Sequence, residues 1–358
     1  MNEQGTKDQT VSGHPSPGGE RPVYILAVET SCDETSVSIV RDGQEILANV
    51  VSSQIETHQR FGGVVPEVAS RKHVESITWI LAEALEKAGL RPDQLSAVAV
   101  TQGPGLVGSL LVGMVAAKAF ACAMELPLIG VHHIAGHIYA NQLVHQLKYP
   151  LMALVVSGGH TELVFVESEG RFRIIGQTRD DAAGEAYDKV ARALKLPYPG
   201  GPHIDRLAHE ATEAVTLPRA WLEPDSYDFS FSGLKSAVLA VLNQAGMKGI
   251  ALEPSAVARG FQDSVIDVLV EKSLRAVEAF GAKQLLLAGG VAANKGLRAR
   301  LEARCAEAGV PLLAPPLSLC TDNAAMIAAA AFLKYRRGQF APFDMKAEPL
   351  LKLEAWSV

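Results

Sequence analysis

The chain is poor in cysteine and has no closely spaced pair of them. Cys32, Cys122, Cys305 and Cys320 are scattered along it. That pattern excludes a disulfide framework or a cysteine-based zinc module, and it suits a reducing compartment. No apolar run reaches the ~20 residues needed to span a bilayer, so no membrane association is expected. The opening segment MNEQGTKDQTVSGHPSPGGERP lacks the apolar centre of a secretory signal. Residues 1–21 therefore read as a disordered tail and the protein as cytoplasmic. Positive charge is also short: 33 Lys and Arg stand against 39 Asp and Glu, a net charge of −6. A protein that coats nucleic acid nonspecifically needs a positive field, so that class is excluded, while an RNA held by a local patch or with a partner's help is not. Several catalytic signatures are missing too. TQGPGLVGSLL has glycines but no Gly-Lys-Ser/Thr, which excludes a P-loop, and there is no Gly-x-Ser-x-Gly elbow of a serine hydrolase.

What is present is ample apolar material, 48% of 358 residues, enough for two domains or one large one. YILAVETS, TSVSIV and QEILANVVSS read as three strands, with Asp42-Gly43 as a hairpin turn between the last two. A helix is expected from Pro66 to Ala88, then the buried strand LSAVAVTQG, the buried helix SLLVGMVAAKAFACAMEL and the short strand PLIGVHH leading into another helix. The pattern then restarts. LMALVVSGGHTELVFVESEGRFRIIGQT holds three more strands, followed by the helix DAAGEAYDKVARALKL. A helical insertion is expected over about 197–255, then a helix from Phe261, the strand QLLLAGG, a helix opening near Asn294, the strand PLLAP and the helix TDNAAMIAAAAFLKYRR. Two halves that each begin with a three-strand meander and continue as alternating helix and strand have the organisation of the actin, Hsp70 and sugar-kinase superfamily. The expected fold is thus α/β, a duplicated RNase H-like two-lobe ASKHA fold with a nucleotide cleft between the lobes. The expected division is 22–150 for the first lobe, 151–335 for the second and 336–358 for a C-terminal extension.

The segment VHHIAGHIYA places His133 and His137 four residues apart. On a helix both imidazoles then share one face, about 5–6 Å apart at Cβ. Two imidazoles and a carboxylate make a facial site for iron or zinc with positions open to substrate, and Asp322 in SLCTDNAAM, at a helix start, is offered as the third ligand. The plain alternative is a pair of surface or capping histidines. A zinc-protease helix would need HExxH; Ile134 stands where its Glu would be, so a metalloendopeptidase is disfavoured. Four polar or glycine-rich turns follow strands: ETSCDETS, VVSGGHT, YPGGPHID and AGGVAAN. Small residues there let backbone N–H groups approach phosphate or ribose. Asp33 and Glu34 are the candidate catalytic carboxylates, able to orient a water or take a proton, and Asp188 and Asp205 could accept hydrogen bonds from ribose or an amine. Each Gly-Gly turn alone is better read as a tight connection; four at strand ends point to a nucleotide cleft.

At these residues the sequence resembles the TsaD family of tRNA threonylcarbamoyl transferases. The stretches AVETSCDETSVSIV, FGGVVPEVASRKH, TQGPGLVGSLLVG, PLIGVHHIAGHI, LVVSGGHTELV, DDAAGEAYDKVAR, YPGGPHID, DFSFSGLKSAV, LLLAGGVAANKGLR and CTDNAAMIA occur in the family's order. The resemblance implies one divalent metal, Fe2+ or else Zn2+, on His133, His137 and Asp322. It also implies threonylcarbamoyl-AMP against Val155, Val156, Ser157, Gly158 and Gly159, with further contacts from Asp188, Gly201, Asp205 and Asn294. The implied reaction transfers the threonylcarbamoyl group to the exocyclic amine of the adenosine beside the anticodon, in tRNAs reading codons that begin with A, and releases AMP. The implied partners are TsaB and TsaE homologues, with the adenylate supplied by a TsaC homologue. One departure is Ala135, where the family often has an acidic residue; it is not a ligand position. An actin-like kinase or ATPase would share the fold but gives no reason for the two histidines and Asp322, and a non-catalytic scaffold gives none for a complete ligand set. Two basic clusters, Lys295, Arg298, Arg300 and Arg304, and Lys334, Arg336 and Arg337, are candidate RNA contacts, though each alone reads better as a solvated helix face.

Overall fold

The computed structural model of the protein describes residues 21–356; the tail expected over 1–21 lies, apart from Arg21, outside the described residues. The first half runs β1 (Tyr24–Glu29), β2 (Glu34–Arg41), β3 (Glu45–Ser53), α1 (Ile55–Gln59), α2 (Pro66–Ala88), β4 (Ala97–Gly103), α3 (Val107–Ala123), β5 (Leu128–His132) and α4 (His133–Tyr139). The second runs β6 (Leu151–Val156), β7 (Thr161–Ser168), β8 (Arg171–Gln177), α5 (Ala183–Ala193), α6 (Gly200–Glu210), α7 (Ser232–Met247), α8 (Pro254–Phe280), β9 (Leu285–Ala288), α9 (Lys295–Ala308), β10 (Leu312–Leu313) and α10 (Ala324–Arg336). The two sheets have the same plan. In the order β3-β2-β1-β4-β5 and β8-β7-β6-β9-β10, an antiparallel meander is extended by two parallel strands. The duplication expected from the restarting pattern is therefore real at the level of topology. Central strands β1 and β6 are buried along nearly their whole length, which is why they read as continuous apolar runs rather than alternating ones.

The helix from Pro254 starts a turn and more before the Phe261 that its apolar run suggested. Pro254 occupies the first helical turn, where its missing N–H costs nothing. Helices α2 and α3 cover one face of the first sheet, and α8 packs on β6 and β7. Helices α4 and α10 fill the space between the halves. α10 packs on β1, β2, β4 and β5, although it comes from the far end of the chain, while α4 touches β4 and β5 as well as β6 and β9. Both helices are buried all round: every residue of α4, and Ala324 through Ala331 of α10. That fits α10, whose first eight residues are all apolar, while the histidine face of α4 is buried against Asp322. Their crossing is close because the side chains are small. A Cβ on Gly136 would lie 2.8 Å from Ile327 Cδ1. Ser36 Oγ on β2 accepts the Ala324 N–H at 2.9 Å and ties the start of α10 to the first sheet. Among the described residues no helix is long and apolar enough to cross a membrane.

Candidate metal and adenylate site

The α4–α10 crossing brings together residues far apart in sequence. His133 and His137 project from α4, and Asp322 sits just before α10, whose N-cap is Asn323. One ligand atom from each lies within 4.8 Å of the others. Asp322 Oδ1 is 3.1 Å from His137 Nε2 and 3.6 Å from His133 Nε2. The imidazoles meet edge to face, with centroids 4.7 Å apart. His133 is oriented from behind: its Nδ1 is 3.2 Å from Glu29 Oε2 and 3.2 Å from Ser31 Oγ. Glu29 is itself fully buried and accepts from Thr101 Oγ1 at 2.6 Å and from the Ser31 N–H. A carboxylate behind an imidazole fixes its tautomer and leaves Nε2 as the ligating atom. His137 is buried, yet neither of its ring nitrogens makes a hydrogen bond. The 3.1 Å approach of Nε2 to Asp322 Oδ1 is thus a close contact without hydrogen-bond alignment. A buried imidazole left open beside a carboxylate needs an explanation, and a divalent cation supplies one. The donor set, two nitrogens and one oxygen, fits iron or zinc.

The charges around this triad support each other. Burial would lower His133, but the Asp322 and Glu29 carboxylates push it up to about 9. Burial would raise Glu29 and Asp322, but the facing histidines hold both below the usual carboxylate range. Without a cation, His133 carries the positive charge that balances the acids, so metal binding must displace a proton from it.

The turn between β1 and β2 adds two more acids. Asp33 is nearly buried and its carbonyl accepts the Gln54 N–H at 3.0 Å. Burial, then Asp33 and Asp322, push the Glu34 carboxyl well up, and Ser53 Oγ donates to it at 3.1 Å. A carboxyl pushed up in this way holds its proton more readily, which suits Glu34 to an acid or base role. The turn is held by His73, whose ring bonds Cys32 O at 2.9 Å and Thr35 Oγ1 at 2.8 Å.

In the second half, Val155 and Val156 end β6, and the turn Ser157–His160, whose His160 ring lies 6.5 Å from that of His133, closes on itself: the Ser157 N–H donates to His160 O at 2.8 Å and the His160 N–H to Ser157 Oγ at 3.1 Å. A Cβ on Gly158, Gly159 or Gly201 would meet nothing within 4 Å, so their backbone faces open space. Gly184 opens α5 directly against that turn, where a Cβ would come within 2.6 Å of Ser157 O. Burial raises the Asp188 carboxyl, and its Oδ1 accepts the Gly200 N–H at 2.7 Å. Burial and then Asp33 and Asp188 push the Tyr198 phenol up, which puts this residue among acids of both halves. Asp205 and Asn294 are committed to the scaffold. Asp205 accepts from the Lys295 and Gly296 N–H groups at 3.1 and 3.3 Å and from Gln262 Nε2 at 3.1 Å. Asn294 caps α9, accepting the Leu297 N–H at 2.8 Å, and donates to Gln262 Oε1 at 2.8 Å. Glu29, Thr101, His73 and Gln262 escape the sequence reading. The one available signal was Glu29, a lone carboxylate closing an apolar strand.

A family model described as tRNA N6-adenosine threonylcarbamoyltransferase matches residues 45–329. The chain belongs to the TsaD family. It is 64% identical over 337 residues to the tRNA N6-adenosine threonylcarbamoyltransferase of Bacillus cereus, covering 94% of this chain and 98% of that protein. It is 63% identical over 332 residues to the protein of the same name from Geobacillus thermodenitrificans, covering 92% and 97%. Among solved structures, HypF from T. kodakarensis superposes with a TM-score of 0.61 at 14% identity, over 90% of this chain and 50% of that one. Component A of the (R)-2-hydroxyglutaryl-CoA dehydratase of Acidaminococcus fermentans does so with a TM-score of 0.55 at 17% identity, over 88% and 98%. At these identities the structural matches speak to the fold alone, and they agree with the duplicated two-lobe arrangement. As a TsaD-family member the chain is a transferase, and the family's substrate is tRNA.

The basic clusters are largely neutralised within the chain. Arg300 pairs with Asp267, Arg304 with Glu271 and Glu307, and Arg336 with Glu169. Arg298 bonds Ala292 O and Pro315 O, and Lys334 lies over the Trp356 ring.

Proposed function

We propose that this TsaD-family chain transfers the threonylcarbamoyl group from threonylcarbamoyl-AMP to the exocyclic amine of the adenosine beside the anticodon, releasing AMP. The observation that carries the reading is the open His137 nitrogen within a His133–His137–Asp322 triad, at a cleft whose other wall is an open glycine turn. His133, His137 and Asp322 would hold the metal, Fe2+ in first place and Zn2+ in second. Such an ion supplies Lewis acidity toward a carbonyl oxygen.

The remaining chemistry falls to the chain's own groups. An adenine amine is a weak nucleophile because its lone pair is delocalised into the ring, so positioning an already activated carbonyl is the main task. The backbone of Ser157, Gly158 and Gly159, at the ends of Val155 and Val156, would cradle the adenylate, with Asp188 and Gly201 beside it. Asp205 and Asn294 would shape that wall through Gln262 and the start of α9. In the transfer a nitrogen–carbon bond forms, the carbon–oxygen bond to phosphate breaks, and the amine proton passes to the Asp33–Glu34 pair. The base is unpaired in the anticodon loop, so presenting it costs less than flipping it from a duplex.

TsaB and TsaE homologues are the proposed partners, a TsaC homologue the source of adenylate, and the cytoplasm the proposed compartment. An apolar stripe on α3 supports a docking partner: Val107, Leu111 and Val115, four residues apart, are 58%, 48% and 64% exposed. The test is reconstitution of the metal-loaded chain with these partners, labelled threonine, bicarbonate, ATP and tRNA. Labelled threonylcarbamoyladenosine is expected, and it should vanish in His137→Ala. ATP consumption with a phosphorylated small molecule and no labelled RNA would instead indicate a kinase.

A further inference from the structure

His132 stands directly before the first histidine of the triad, and both of its ring nitrogens are engaged. It is buried and forms the N-cap of α4. Its Nδ1 accepts the Ile134 N–H at 3.1 Å, and its Nε2 is 3.0 Å from Leu351 O. A ring nitrogen that accepts a backbone N–H carries no proton, and one that faces a carbonyl oxygen must donate. The two contacts therefore fix one tautomer, with the proton on Nε2. The usual capping residues, Ser, Thr, Asp and Asn, would accept the same N–H. They are too short to reach a second partner as well. The imidazole is thus more than a cap, because it couples the start of α4 to the C-terminal segment.

That segment is itself tied to both halves. The Glu348 N–H donates to Gln102 O at 2.8 Å on β4, and Gln102 Nε2 donates back to Glu348 Oε1 at 2.8 Å. A Cβ on Gly103 would collide with Glu348 O, so the two backbones lie against each other. Beyond Leu351, Glu354 Oε1 accepts the Ile174 N–H at 3.1 Å on β8, and Trp356 Nε1 donates to Gly130 O at 2.8 Å on β5. The Leu351 carbonyl is therefore a fixed point between two anchored stretches.

We propose that His132 is a positioning residue for the metal centre, joining the anchored C-terminal segment to the backbone that carries His133. The proposal rests on the metal reading above. Glu29 and Ser31 hold the His133 ring from its Nδ1 side, but they do not determine where its backbone stands. The His132 imidazole does. It belongs to the residue before His133 and accepts the N–H of the residue after it, so it closes the chain on both sides of the ligand. A site has to hold its groups to within about 0.5 Å of the working geometry. Helix α4 has only seven residues, and so short a helix has little stability of its own.

Three variants of the full chain separate the two bonds. His132→Asn can still accept the Ile134 N–H but cannot reach Leu351. His132→Gln can reach Leu351 O but caps poorly. His132→Ala loses both. Zn2+ affinity in competition titrations should fall about 10–100-fold in His132→Ala, the loss typical of groups that support a metal ligand, and by less in the other two. Should His132→Ala fail to fold, those two still decide the matter, since each keeps one bond. Backbone hydrogen exchange of the metal-free chain gives a second readout. The Ile134 amide should exchange faster in His132→Ala and His132→Gln and stay protected in His132→Asn. Wild-type Zn2+ affinity in His132→Asn would cut the link to the C-terminal segment and overturn the proposal. So would equal losses in all the variants that merely follow a lowered melting temperature. A wild-type chain that takes up no Zn2+ would sink the metal reading, whereas exchange at Ile134 judges the His132 brace without any metal.

Discussion

At the metal end of the cleft, polar groups are left open. At the glycine-rich end, the side chains are closed and the backbone is open. His137 is buried without a hydrogen bond, whereas Asp205 and Asn294 have protein partners on nearly every side. The surfaces proposed for the adenylate there are Gly158, Gly159 and Gly201, whose backbone faces open space. The difference separates two ways of building a site. A cation must meet electron pairs that nothing else uses, so those side chains are costly until it arrives. A nucleotide can be met by backbone N–H groups, so the nearby carboxylates and amides can hold the walls still.

The largest effect should come from removing an open group. His137→Ala is expected to abolish stoichiometric metal and to lower transfer by more than about 100-fold, beyond the loss typical of groups that merely support a ligand, with circular dichroism unchanged. Wild-type metal content by mass spectrometry would erase the distinction drawn above. Next is the group behind it. Glu29→Gln keeps the shape but weakens the orientation of His133, and metal affinity should fall about 10–100-fold in competition titrations. An unchanged affinity would make Glu29 a charge balance only.

Proton competition gives the third test. Because His133 is pushed up to about 9, it is protonated in the metal-free chain at neutral pH, and binding releases that proton. Metal affinity should therefore climb with pH, about tenfold per unit up to the region of 9, and flatten above it. A flat profile from pH 6 to 9 would mean that His133 is already neutral.

At the closed end, effects should appear as stability rather than binding. Asn294→Ala removes a helix cap and should cost about 0.5–2 kcal/mol in denaturant unfolding. Asp188→Ala should weaken AMP by about 0.5–1.5 kcal/mol, one hydrogen bond to a neutral group, more than it weakens RNA binding. If the two variants exchange these signatures, Asn294 is a ligand contact and Asp188 a brace. The smallest expected effect is at the paired basic face. Arg304→Glu should leave the salt dependence of stem-loop binding unaltered, since Arg304 is engaged with Glu271 and Glu307; a flattened slope would show that phosphates compete for it.

Much of this was legible in the chain. The restarting meander indicated the duplication, and the four-residue spacing of His133 and His137 indicated one helix face. Local signals sufficed because each lies within a single element. What stayed hidden depends on elements meeting across long stretches of sequence. Glu29 reads as the end of a strand until β1 is seen beside α4. Asp205 reads as a ligand-seeking acid until the start of α9 is found capping on it. The early start of α8 was concealed because Pro254 and Gly260 look like loop residues, although Gly260 is a close-approach site: a Cβ there would lie 2.0 Å from Val215 O.

The crossing of α4 and α10 also sets a schedule. A chain made from its N-terminus exposes both histidines long before Asp322 and the alanine-rich helix that follows it exist. Until then the inner faces of β1, β2 and β5 lack the helix that covers them, and the two imidazoles have no carboxylate to complete their set. The covering of that sheet and the completion of the candidate ligand set thus depend on one and the same late segment of the chain.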